Sequence, residues 1–83
     1  NYAIRKFIIM TELRKIILKC VDTLDKNFNE NDTFKSLGVD SLDLYSIIQS
    51  VEDKYKIKIK DKELNKLSSL KKLFTFLKKK NVF

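Results

Sequence analysis

Apolar side chains recur between residues 13 and 24 at steps of three and four: Leu13, Ile16, Ile17, Cys20, Val21 and Leu24. Glu12, Arg14, Lys15, Lys19 and Asp22 fall mostly on other faces, so the segment predicts an amphipathic helix. Thr11 stands where an N-cap belongs. Met10 marks the expected start of a single domain over residues 10–83, with residues 1–9 an N-terminal extension or an added remnant. The period breaks over residues 25–32, a polar run that predicts a long loop. Phe28, Phe34 and Leu37 interrupt this polar connection and are expected to pin it to the core.

A second helix is expected from Ser41. Leu42, Tyr45, Ile48, Val51 and Tyr55 form its inward stripe, widened by Leu44 and Ile47. Asp40 suits the N-cap, and Asp43 three residues later gives a capping box with a short acid. Residues 56–60 alternate lysine with isoleucine at a strand-like period of two. No partner strand is in view, so an extended connection with Ile57 and Ile59 inward is the better reading. Asp61 is expected to cap a short helical turn, and Ser68 or Ser69 a last helix carrying Leu70, Leu73, Phe74 and Leu77 on its inner face. Phe76 is placed outward. Lys78, Lys79 and Lys80 suit the carbonyl end of that helix.

These elements describe an all-α fold: a small four-helix bundle of three main helices and one short helix, with a long first loop. A single glycine, Gly38, and no proline argue against an all-β alternative built on tight turns. Eighty-three residues suffice for one modest core. No histidine is present, which excludes Ser-His and Cys-His nucleophile pairs and histidine-bearing zinc sites. Cys20 is alone, so it forms no internal disulfide and reads as a small buried hydrophobe. Asp22, Asp25, Glu30 and Asp32 lack the ligand spacing and central glycine of a calcium loop. No catalytic residue, metal ligand or enzymatic activity is assigned.

The net charge of +7 is unevenly spread. Residues 1–40 carry +1 and residues 41–56 carry −1, while nine lysines against Asp61 and Glu63 give residues 57–83 the remaining +7. Such a field could attract nucleic acid or an anionic surface. No arginine follows Arg14, and the lysines are not interleaved with exposed aromatics, so a solvated helix face is the commoner explanation. Phe7-Ile8-Ile9 beside Arg5 and Lys6 is too short for a signal-peptide core or a membrane span. A cytoplasmic monomer is the default expectation.

The run Leu37-Gly38-Val39-Asp40-Ser41-Leu42 bears chemistry. A glycine leads into a capped helix start, and the hydroxyl of Ser41 falls at the first helical position. A phosphate ester there would meet unpaired backbone N–H groups at the positive end of the helix dipole. The stretch from Phe34 to Asp43 resembles the attachment motif of acyl carrier proteins, a hydrophobic-Gly-x-Asp-Ser-Leu pattern. The resemblance extends from about Met10 to Leu77, through Glu52-Asp53-Lys54-Tyr55, Ile57-Lys58-Ile59 and Leu67-Ser68-Ser69-Leu70.

The resemblance implies a four-helix bundle, not an enzyme, whose Ser41 accepts 4'-phosphopantetheine covalently from coenzyme A through a separate phosphopantetheinyl transferase. Cargo would ride as a thioester on the arm's terminal thiol, in fatty acid or related lipid or specialised biosynthesis. Asp40 matches the motif acid and Leu42 the docking residue beside the serine. Asp43, Glu52 and Asp53 match the acidic face that acyl-transferring or chain-elongating enzymes recognise. Two positions depart from the family pattern: Ser46 and Lys54 stand where acids are common. Fewer acids slow encounter with basic enzyme patches, which implies a dedicated partner set. The alternative from a different class is a basic helical protein that binds nucleic acid or an anionic surface through the C-terminal lysines. Nucleic acid is not the expected partner.

Overall fold

A computed structural model describes all 83 residues. Three α-helices, α1 (Tyr2–Cys20), α2 (Ser41–Tyr55) and α3 (Leu70–Lys79), and a 3-10 helix at Asp61–Lys66 form the expected all-α bundle. There are no strands beyond one isolated bridge, Thr33 to Ser69.

The first helix begins nine residues before its expected cap. Asn1, not Thr11, is the N-cap, its side chain accepting the Ala3 N–H at 2.8 Å. The helix runs without a break through Met10, and Ile9 is already in the core. Thr11 could cap in principle, but Tyr2-Ala3-Ile4-Arg5-Lys6-Phe7 contains no proline or glycine to stop the helix from continuing upstream.

Leu13 and Ile17 lie on the buried side of α1 and Val21 is buried just past its end, as the period predicts, while Ile16, Cys20 and Leu24 are half-buried against the same core. On α2 the inward stripe is shifted from the expected one. Ile47, Ile48 and Val51 are buried, with Leu44 and Tyr55 packed beside them, whereas Leu42 and Tyr45 are 77% and 64% exposed. Leu44, Ile47, Ile48, Val51 and Tyr55 share one helix face at three- and four-residue steps, which leaves Leu42 and Tyr45 toward solvent.

The long loop is held as expected. Phe28 and Phe34 are buried and Leu37 is partly buried. Arg14 lies 4.3 Å over the Phe28 ring and donates to the Phe28 carbonyl at 2.7 Å, clamping the loop onto α1. The Phe34 N–H donates to the Ser68 carbonyl at 2.8 Å, and the Lys71 N–H to that of Glu30 at 3.1 Å. The loop is therefore stitched to the start of α3 through its backbone, which no hydrophobic pattern announces.

Residues 57–60 form no regular element and Lys60 is extended, with Ile59 buried and Ile57 partly so. The 3-10 helix is capped by position 60 rather than Asp61: the Glu63 carboxylate accepts the Lys60 N–H at 3.1 Å. Ser69 caps α3, accepting the Lys72 N–H at 3.1 Å. Leu70, Leu73, Phe74 and Leu77 are buried as expected, and so is Phe76, which the sequence placed outward. Phe76 packs beneath the 3-10 helix side, where Lys80 covers its ring at 5.4 Å. No helix is long and apolar enough to cross a membrane.

The helices run antiparallel in pairs. Cys20 meets Ser50 while Glu12 meets Tyr55, so α2 descends along α1 in the opposite sense. Tyr2 meets Lys78 and Lys6 meets Phe74, so α3 also opposes α1. The N-termini of α2 and α3 consequently lie toward the C-terminal end of α1.

Candidate functional site

Residues 33–40 deliver Ser41 to the head of α2 through a chain of tight turns. The Leu37, Gly38 and Val39 amides donate to the carbonyls of Thr33, Lys35 and Phe34 at 3.0, 3.1 and 2.9 Å. Ser36 bonds Thr33 twice, through its amide and its hydroxyl. Gly38 has φ +82, and a Cβ built there would meet nothing within 4 Å. Backbone conformation, not crowding, is what requires glycine at this step.

Asp40 then leaves in extended conformation and caps the helix. Its carboxylate accepts the Asp43 N–H at 2.8 Å and its carbonyl the Leu44 N–H at 2.9 Å. The expected box is half-formed, because the Asp43 carboxylate does not return to the Asp40 amide. Ser41, the first helical residue, is exposed. The amides of Ser41 and Leu42 belong to the first turn, which has no carbonyls of its own helix to bond, and they take no other protein acceptor.

The first turn thus assembles Asp40, Ser41, Leu42 and Asp43, with Leu42, Tyr45 and Ser46 presented outward along the helix. Glu52 and Asp53 lie elsewhere, about 17 Å farther along α2 at 1.5 Å per residue. Asp53 is exposed, but Glu52 is half-buried and accepts the Ile59 N–H at 2.7 Å. One oxygen of Glu52 is therefore committed to holding residues 57–60 against α2. Sequence reading missed that role, since nothing in an isolated acid reveals which amide it will cap seven residues on.

Glu12 was missed too. It accepts the Tyr55 hydroxyl at 2.9 Å and pairs with Lys54 at 3.8 Å, tying the middle of α1 to the C-terminal end of α2. Burial first, then the hydrogen bond to Glu12 and its negative charge, push the Tyr55 phenol well above its ordinary range.

Comparison with known proteins places this geometry. A family model described as the phosphopantetheine attachment site matches residues 11–77, the span that contains the whole Ser41 turn and its supporting loop. The chain belongs to the phosphopantetheine-binding acyl carrier family. An acyl carrier protein of Buchnera aphidicola subsp. Acyrthosiphon pisum (strain Tuc7) is 35% identical over 75 residues, covering 89% of this chain and 94% of that relative. A mitochondrial acyl carrier protein of Dictyostelium discoideum is 39% identical over 54 residues, covering 65% of this chain and 45% of the relative. An acyl carrier protein of Campylobacter hominis is 28% identical over 74 residues, covering 88% and 94%.

The cofactor of this carrier family is 4'-phosphopantetheine, and the residues of this chain fit it. An exposed hydroxyl stands beside two open amides at a helix N-terminus, which favours a phosphodiester. The carboxylate nearest in sequence, Asp40, is turned onto the Asp43 amide.

Proposed function

We propose that this chain carries acyl intermediates as thioesters on a 4'-phosphopantetheine arm attached at Ser41, in fatty acid or related lipid or specialised biosynthesis. The supporting observation is the exposed Ser41 hydroxyl at the open N-terminus of α2, inside the matched family span. In the loading step, catalysed by a separate phosphopantetheinyl transferase, Ser41 Oγ bonds to the phosphopantetheine phosphorus of coenzyme A. The diphosphate P–O bond breaks, 3',5'-ADP leaves, and the hydroxyl proton passes to a base of the transferase. The chain itself acts as a carrier and not as a catalyst.

Leu42 is the apolar contact for docking enzymes, flanked by Asp43 near the serine and by Glu52 and Asp53 at the far end of α2. Its exposure in a first turn otherwise polar supports that role. Ser46 is exposed and uncharged between these acids, and Lys54 is spent on Glu12, so the acidic face is thinner than the family pattern. That difference supports a dedicated partner set. Standard fatty acid synthase components should elongate its acyl chain more slowly than that of a typical acidic carrier; equal rates would refute the dedicated set.

Attachment is tested by intact-mass analysis after incubation with coenzyme A and a broad-specificity phosphopantetheinyl transferase. The wild-type chain should gain one phosphopantetheine and Ser41→Ala none. An unmodified wild type, under conditions that load a control carrier, would overturn the proposal.

A further inference from the structure

The outer side of α1 carries a surface that the carrier function does not use. Tyr2, Lys6 and Met10 line a hollow against α3, and Ile9, Leu13 and Ile17 face the core. Ile4, Phe7 and Ile8, spaced as one helical face, lie on the other side and are 61%, 72% and 47% exposed. They are three of the seven large apolar side chains that the molecule leaves exposed. Exposed aliphatic and aromatic groups gathered within two turns of one helix call for an apolar environment.

Cations outnumber acids around this patch. The same outer side continues through Lys15 and Lys19, both exposed, while Arg5 and Lys6 flank the apolar residues. The carboxylate of α1, Glu12, is held by Lys54 and Tyr55. Apolar side chains next to unpaired cations suit a bilayer interface, the apolar groups at the acyl boundary and the lysines among anionic headgroups.

We propose that the outer face of α1, through Ile4, Phe7 and Ile8 with Arg5, Lys15 and Lys19, docks the protein peripherally on an anionic phospholipid bilayer. A second copy of the chain is a poor occupant, because two molecules of net charge +7 repel. Nucleic acid is also a poor occupant, because Phe7 is the one aromatic ring of the three and the aliphatic Ile4 and Ile8 beside it offer no stacking surface for bases. The antiparallel packing puts Ile4, Phe7 and Ile8 at the end of the bundle away from Ser41, while Lys15 and Lys19 lie farther along α1 toward it. A bilayer-bound molecule would keep Ser41 and Leu42 open to enzymes. The proposal does not depend on Ser41 being modified.

Co-sedimentation of the full chain with vesicles tests it, using phosphatidylcholine alone and phosphatidylcholine with about 30 mol% phosphatidylserine. Binding to the anionic vesicles should exceed binding to neutral ones by about tenfold or more and should weaken as salt is raised. The triple variant Ile4→Ala/Phe7→Ala/Ile8→Ala, which keeps good helix formers and removes exposed groups only, should lose about tenfold or more in affinity at unchanged helicity by circular dichroism. Lys15→Glu/Lys19→Glu should lose binding to anionic vesicles specifically, and Ser41→Ala should bind as the wild type does. Failure to sediment with anionic vesicles would overturn the proposal, as would binding that the triple variant leaves intact. Tighter binding to duplex DNA than to vesicles would assign the basic surface to nucleic acid instead. A wild-type dimer in the ultracentrifuge that the triple variant dissociates would assign the face to a second copy.

Discussion

Residues 2–8 and residues 21–40 invert the usual relation between regular structure and burial. Residues 2–8 are helical throughout, yet none of their side chains is buried. Residues 21–40 contain no helix longer than a turn, yet Val21, Phe28 and Phe34 belong to the core. Backbone hydrogen bonds exist in both, so they do not explain the difference. What separates them is the area removed from water and the number of partners outside the segment. The loop is clamped by Arg14, Ser68 and Lys71. The helix start is touched from outside chiefly by Lys78 and Phe74. Structure that looks irregular can be the more constrained part of a fold.

The strongest way to break that comparison is Phe34→Ala. Phe34 is 3% exposed, and truncating a buried phenylalanine costs about 3–5 kcal/mol. Chemical denaturation should show a loss in that range with an unchanged slope. A loss below about 1 kcal/mol would mean that the loop is draped over the core rather than part of it. Leu37→Ala should cost less than Phe34→Ala, because Leu37 is only partly buried.

Tyr55→Phe probes the place where α1 changes from free to anchored, since Glu12 ties α1 to α2 there. Losing the hydrogen bond to a carboxylate should cost about 1–2 kcal/mol near neutral pH. The pH dependence gives a sharper signature. The phenol's ionisation is raised in the fold, by burial first and then by Glu12. An unfolded tyrosine releases its proton near about 10, so the stabilisation is complete below that pH and declines as pH rises above it. The wild type should therefore lose stability on going from about pH 9 to 11 more steeply than Tyr55→Phe. Parallel curves would show that the Tyr55–Glu12 bond is not held in solution.

Asp40→Ala acts where the loop hands over to α2. Removing an N-cap costs about 1 kcal/mol, and Asp40 supplies the sole side-chain acceptor for the first turn. Thermal unfolding should report that loss, while Asp40→Asn should recover most of it because asparagine also caps. If both variants cost the same, the charge of Asp40 rather than its hydrogen bond supports the turn.

The parts of this fold that sequence made legible are those where periodicity and local chemistry coincide. The α3 stripe and the Ser69 cap could be read directly, as could the Asp40-Ser41 helix start, because each depends on residues within a turn or two of one another. Phe28 and Phe34 were legible because an aromatic residue in a polar run has few other places to go. The start of α1 was misread because a good cap residue, Thr11, outweighed the absence of any helix breaker upstream. On α2 two overlapping apolar periods were available, and only packing against α1 chooses Ile47 over Tyr45. Glu12 with Tyr55 and Glu52 with the Ile59 amide are pairings across distance, invisible to any local rule. The two acids at the far end of α2 are thus of two kinds: Asp53 is exposed, while Glu52 accepts the Ile59 N–H.

The smallest expected effect completes the comparison. Phe7 is 72% exposed and Ile9, two residues later on the same regular helix, is 8% exposed. Phe7→Ala removes little buried area and replaces an aromatic residue with the best helix former, so stability should change by no more than about 0.5 kcal/mol. Ile9→Ala, by contrast, opens space in the core and should cost about 2–5 kcal/mol. Both substitutions sit in one uninterrupted helix, so the difference between them reflects chiefly burial. A large loss for Phe7→Ala in the isolated chain would show that the outer face of α1 is already covered in solution. A near-zero change would leave that face as surface which the folded domain does not need for its own stability.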